Sequence, residues 1–164
     1  RVSQQCRAED LARVRDAYDR IGVEADLGSF FVDMAERLSE ANLVIGRAGA
    51  STVAELGVVG RPSILVPYPH ALDHDQKVNA EALSNCGAAL VIDQTGLTAA
   101  RLAGELSRFI GEPARLQRMA AAARLAGRPD AVSRLADLVE RVARGEMPKV
   151  GRSAKAGKQG GADA

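Results

Sequence analysis

Apolar positions along the chain alternate between two patterns. Short apolar runs bounded by polar turns are separated by longer stretches in which apolar residues recur every three to four positions. The first helical stretch is predicted over 8–21, with Leu11, Val14 and Ala17 on one face and charges opposite. A weak strand follows over 23–27, then a turn at Gly28-Ser29 and a helix in which Phe31, Met34, Ala35 and Leu38 recur as far as Ser39. Apolar runs at 43–45, 63–66 and 88–92 read as buried parallel strands. Between them lie helices over 52–59, stopped at Gly60, and over 76–86, stopped at Gly87. Three more helices are predicted over 98–110, 114–126 and 131–144. The last carries Val132, Leu135, Val139 and Val142 on one stripe, so it is expected to pack onto something. Strand alternating with helix predicts βαβ units with right-handed crossovers: an α/β, Rossmann-like parallel sheet flanked by helices.

Composition narrows this picture. The 164 residues are 46% apolar but only 3% aromatic with no Trp, so the core must be Leu, Val, Ile and Ala. A net charge of +1 gives no electrostatic footprint for nucleic acid. No apolar run reaches the roughly 18 residues of a membrane span. Cys6 and Cys86 are far apart and read as reduced thiols. From Gly145 onward Gly, Ala, Lys and Pro replace apolar bulk, which predicts one folded domain over 1–144 and a disordered tail over 145–164. No strand signal precedes the first helix, so about four strands are expected and the opening of the domain is expected to lie upstream of Arg1.

Candidate chemistry concentrates in 46–79. G-R-A-G-A-S-T-V-A-E-L places a small-residue turn and a helix start after one strand; P-Y-P-H-A-L-D-H-D-Q-K-V-N follows the next. In a parallel sheet both loops lie side by side at the carboxyl edge, where ligands bind. Small residues admit a phosphate to the backbone, and the amides of Ala50, Ser51 and Thr52 would face a diphosphate. Glu55 has two readings. In one it closes a capping box with Thr52 as the cap; in the other its carboxylate takes the two hydroxyls of a ribose. Arg47 either supports the diphosphate charge or forms a surface ion pair. His70, Asp73, His74 and Asp75 admit a metal site, and with it a metal phosphohydrolase. The loop can instead hydrogen-bond a sugar through Asp75 and Gln76, and this second reading is preferred, with no metal. Of Phe30 and Phe31, one is expected to anchor the helix entry and the other to lie against a base.

The segments F-F-V-D-M, A-N-L-V-I-G-R-A-G-A-S-T-V-A-E-L and G-R-P-S-I-L-V-P-Y-P-H-A-L-D-H-D-Q-K-V-N-A are together similar to the MurG family, the N-acetylglucosaminyltransferases of peptidoglycan synthesis. The resemblance covers 4–144. It implies the C-terminal, donor-binding half of a GT-B glycosyltransferase of family 28, incomplete at its N-terminus, that works without a cofactor. Carried over by position, it implies that the backbone of Phe31 reads uracil. Ala50, Ser51, Thr52, Val53, Ala54 and Glu55 would surround the diphosphate and ribose, with Gly49 and Arg47 as further donor contacts. Gln76 would bond the sugar, with Asp75 beside it. Gln4-Gln5 stands where many members have His-Gln.

The implied substrates are UDP-N-acetylglucosamine and, through an N-terminal domain absent from these residues, undecaprenyl-linked lipid I. Transfer would proceed with inversion, at the cytoplasmic face of the bacterial inner membrane and with peripheral attachment. No catalytic residue is expected in this chain, and the chain alone is expected to be inactive. The alternative is a non-catalytic donor-binding subunit of a split N-acetylglucosaminyltransferase.

Overall fold

The computed structural model describes residues 1–69 and 75–146. Its contacts divide into two compact units, 1–128 and 129–164. The first unit contains five strands: β1 (Val2–Gln5), β2 (Ala25–Gly28), β3 (Val44–Gly46), β4 (Ser63–Leu65) and β5 (Ala89–Val91). Its helices are α1 (Leu11–Arg20), α2 (Met34–Glu40), α3 (Ala50–Val59), α4 (Asp75–Asn85), α5 (Ala99–Gly111) and α6 (Pro113–Ala126). Every strand pairing is parallel, β1 with β2 and then β3–β4–β5 in spatial order, so pairing forms two groups rather than one continuous ladder.

β4 lies between β3 and β5 and is buried along its whole length. Successive side chains of a strand point to opposite faces, and each face of β4 supports a different cluster. Leu65 packs with Leu56 of α3, Ala80 and Leu83 of α4 and Ala123 of α6. Ile64 packs with Ile92, Phe109 of α5 and Met119 of α6. Helices on both faces explain why these strands read as continuous apolar runs. A single phenylalanine is fully buried, the rest of the core being aliphatic apart from Met119.

Three expectations are corrected here. A strand does precede the first helix: β1 carries one apolar residue in V-S-Q-Q, so no alternation marked it, and it is held by its ladder with β2. Among the described residues there are accordingly five strands rather than four. The helix expected to begin at Thr52 begins at Ala50, with Gly49 as N-cap in extended backbone (φ −62°, ψ 152°).

The second unit contains α7 (Ala131–Ala143). Its stripe of Val132, Leu135, Val139 and Val142 is exposed among the described residues. Gly145 and Glu146, assigned in sequence to the tail, close this helix. Gly145 N–H donates to the Val142 carbonyl, and Glu146 pairs with Arg141 and Arg144. The rest of the tail, 147–164, lies outside the described residues, as does the loop 70–74. Among the described residues no helix is long and apolar enough to cross a membrane. Cys6 and Cys86 are free thiols.

Candidate functional site

Because β3 and β4 run parallel with Gly46 opposite Leu65, the segments that leave them emerge side by side. The first enters α3 directly. Among the described residues no side chain caps that helix: Val53 N–H is the first to be bonded within it, to the Gly49 carbonyl at 3.0 Å. The amides of Ala50, Ser51 and Thr52 are therefore the unfilled donors that every helix start leaves, carrying the positive end of the dipole. The starts of α1, α2, α6 and α7 also lack a side-chain cap among the described residues, whereas Thr98 caps α5 by accepting from Arg101 N–H at 3.1 Å.

The capping box proposed for Thr52 and Glu55 is not formed, since Thr52 lies inside the helix as its third residue. Glu55 is exposed on α3 and has no ion pair or side-chain hydrogen bond among the described residues. Val53 is half-buried against the core, whereas Ala50, Ser51 and Ala54 are exposed.

Among the described residues Arg47 forms no ion pair. Its guanidinium reaches across to the segment after β4, donating to the carbonyls of Val66 (3.2 Å) and Pro67 (3.4 Å). It also stands 5.4 Å from the Tyr68 ring centroid. Asn79 of α4 adds a second tie, donating from Nδ2 to the Ala48 carbonyl at 3.2 Å. Both ties were illegible as spacing, because they join residues 19 and 31 positions apart.

Gln76, in the first turn of α4, accepts from Tyr68 N–H through Oε1 at 3.0 Å. That bond fixes the amide orientation and leaves the Nε2 hydrogens as the outward-facing donors. Asp75 is exposed, and its Oδ1 accepts from Gln76 N–H at 2.8 Å. His70, Asp73 and His74 lie outside the described residues; among those described, no cluster of three or more His, Cys, Asp or Glu is placed to hold a metal. A shallow cleft beside Gln76 is lined by Tyr68, Lys77, Asp93 and Thr95. The more capacious hollow, lined by Gly87, Leu90, Arg115 and Arg118, lies at the start of β5 and contains none of the predicted site residues.

Phe31 occupies the turn between β2 and α2. Its ring lies against Gly28, where an added Cβ would sit 2.8 Å from Cε1, and under the Arg37 guanidinium at 3.8 Å. Phe30 is 73% exposed, so Phe31 is the packed member of the pair. The N–H and carbonyl of Phe31 form no hydrogen bond among the described residues. No hydrogen bond, ion pair or ring contact joins Phe31 to the Arg47–Gly49 loop. Of the Gln4-Gln5 pair, Gln4 accepts from the Tyr18 hydroxyl (2.8 Å), and Gln5 donates to the Ser29 carbonyl (3.1 Å), tying β1 to the turn before Phe31.

Residues 1–135 match the family model of the glycosyltransferase family 28 C-terminal domain. The chain is similar to the UDP-N-acetylglucosamine–N-acetylmuramyl-(pentapeptide) pyrophosphoryl-undecaprenol N-acetylglucosamine transferases of Agrobacterium fabrum and Rhizobium etli. It is 57% identical to the first over 144 residues (88% of this chain, 38% of that protein) and 55% identical to the second over 146 (89% and 39%). Among solved structures, Acinetobacter baumannii MurG superposes with a TM-score of 0.77 at 31% identity, over 85% of this chain and 42% of that one. The glycosyltransferase VinC, solved in complex with DTDP, gives 0.61 at 25% identity over 85% and 34%. The chain thus spans about two-fifths of the length of the curated relatives it matches. It belongs to the glycosyltransferase family 28 C-terminal domains.

Proposed function

We propose that this member of family 28 is the donor-binding half of an inverting N-acetylglucosaminyltransferase. It would hold UDP-N-acetylglucosamine for transfer to undecaprenyl-diphospho-N-acetylmuramoyl-pentapeptide, the conversion of lipid I to lipid II in peptidoglycan synthesis. Its similarity to N-acetylglucosamine transferases acting on N-acetylmuramyl-(pentapeptide) pyrophosphoryl-undecaprenol supports this choice of substrates. The observation that carries it in this chain is the start of α3: three uncapped amides with an unpaired carboxylate on the next turn.

In this reading the amides of Ala50, Ser51 and Thr52 receive the diphosphate, and Gly49 allows its close approach. Glu55 accepts from the ribose hydroxyls. Val53 and Ala54 build the wall of the helix entry, and Arg47 holds the two loops at one spacing. Gln76 donates to a sugar oxygen, with Asp75 fixing the first turn of α4, and the backbone edge of Phe31 reads uracil.

During transfer the bond between the anomeric carbon and the diphosphate oxygen breaks as the acceptor hydroxyl attacks from the opposite face. A base in the acceptor half takes the hydroxyl proton, and negative charge accumulates on the leaving diphosphate. Oriented N–H groups stabilise that charge, the electrostatic component of catalysis. The lipid-linked acceptor places the work at the cytoplasmic face of the inner membrane, with peripheral attachment.

The test is a titration of the isotopically labelled chain with UDP. The amide resonances of Phe31, Ala50, Ser51 and Thr52 are expected to shift together. No shift at any of them at millimolar UDP would overturn the reading.

A further inference from the structure

We infer that Arg37 is a positioning residue for base recognition, its guanidinium clamping the Phe31 ring so that the free backbone edge of Phe31 is held at one orientation. The inference rests on the reading of Phe31 as the base-binding residue.

Among the described residues Phe31 makes no backbone hydrogen bond, so the packing of its side chain contributes to its orientation alongside the bonds at Gly28 and Ser29. Gly28 supports one part of the ring, and the Arg37 guanidinium covers it at 3.8 Å. That guanidinium is itself immobilised by three segments. Nε donates to Asp33 Oδ1 at 2.8 Å, and Nη1 donates to Ser3 Oγ of β1 at 2.7 Å and to Asp26 of β2. The side chain is only 23% exposed. Asp33 and Asp26 together raise the guanidinium pKa, and Arg37 in turn holds the Asp33 carboxyl below its ordinary range.

A planar fork with several donors can stack on a ring and bond three partners at once, which an ammonium cannot do. Phe31 in turn presents one N–H and one carbonyl. Uracil offers the complementary pair, an O4 acceptor beside an N3–H donor. Cytosine offers the reverse, an N3 acceptor beside an amino donor, and leaves backbone groups unpaired when placed in the same register. Discrimination between the two therefore depends on the angle at which this turn is held.

The experiment measures the binding of UDP, CDP and inorganic pyrophosphate to the native chain, Arg37→Met and Arg37→Lys. Arg37→Met is expected to weaken UDP about tenfold, to bring the UDP-to-CDP ratio toward one and to leave pyrophosphate unchanged. Arg37→Lys, which keeps the charge without the fork, is expected to lose most of the same selectivity and serves if the Met variant does not fold. A lowered melting temperature with native UDP-to-CDP selectivity in the folded variant would make Arg37 purely structural and overturn the inference alone. A native chain that binds pyrophosphate without preferring UDP would overturn the base reading and the inference together.

Discussion

The two ends of α3 are built from similar small and apolar residues and do opposite things. At its C-terminal end, Leu56, Gly57 and Gly60 are buried. Gly60 adopts φ +72°, which lets its own N–H and that of Arg61 fold back onto the Leu56 carbonyl, each at 2.9 Å. Gly57 meets Gly127, the residue that ends α6, so closely that a Cβ on Gly127 would fall 2.4 Å from the Gly57 carbonyl oxygen. The helix end is closed by its own backbone, although the buried Nε of Arg61 just beyond it has no hydrogen-bond partner among the described residues. At the N-terminal end, Gly49 supplies no cap, and Ala50, Ser51, Ala54 and Glu55 face solvent. One end stabilises the fold; the other leaves donors and a carboxylate unfilled, the condition of a surface that waits for a ligand. Burial and internal satisfaction of hydrogen bonds distinguish the two more sharply than residue type does.

Three substitutions test that division. Gly127→Ala should have the largest effect, because a backbone carbonyl cannot give way as a flexible side chain does. We expect about 3 kcal/mol of destabilisation in chemical unfolding, the upper range for overpacking. A loss below the error of the measurement would mean that α3 and α6 separate freely. Glu55→Ala should do the reverse. It is expected to weaken UDP binding by about 2 kcal/mol, roughly thirtyfold, with an unchanged melting temperature. A large fall in melting temperature with unaltered binding would return Glu55 to the structural end of the helix. Gly49→Ser should have the smallest effect and combine both signs. Space is available, since a Cβ there meets only Thr52 Oγ1 at 3.9 Å. The new hydroxyl should cap α3 and stabilise the fold by a few tenths of a kcal/mol while competing with the diphosphate and weakening UDP severalfold. Tighter binding in this variant would contradict the role given to the uncapped amides.

The buried half of the architecture was readable from sequence. The runs around β3, β4 and β5 are apolar because both faces of the strands are covered, and Gly60 marks a helix end because the chain there needs a left-handed residue. What escaped was held by groups distant in sequence. Polar β1 persists through its ladder with β2, and Arg37 gains its meaning from Ser3 and Asp26, 34 and 11 residues away. The start of α3 was misplaced because Thr52 and Glu55 stand three residues apart, the spacing of a capping box, whereas Gly49 already turns the chain into the helix three residues before Thr52 could. The candidate loops were legible as small-residue turns; that Arg47 ties one to the other was not, because both acceptors are backbone carbonyls and carry no side-chain signature.

The bond from Tyr68 N–H to Gln76 Oε1 has a consequence for inhibitor chemistry. With one lone pair of its carbonyl oxygen engaged and the amide orientation set by that bond, the Nε2 end of Gln76 presents two donors, so a sugar mimic should place an acceptor opposite that nitrogen. An ether oxygen or a carbonyl fits that demand; an ammonium group placed against Nε2 meets donors with donors.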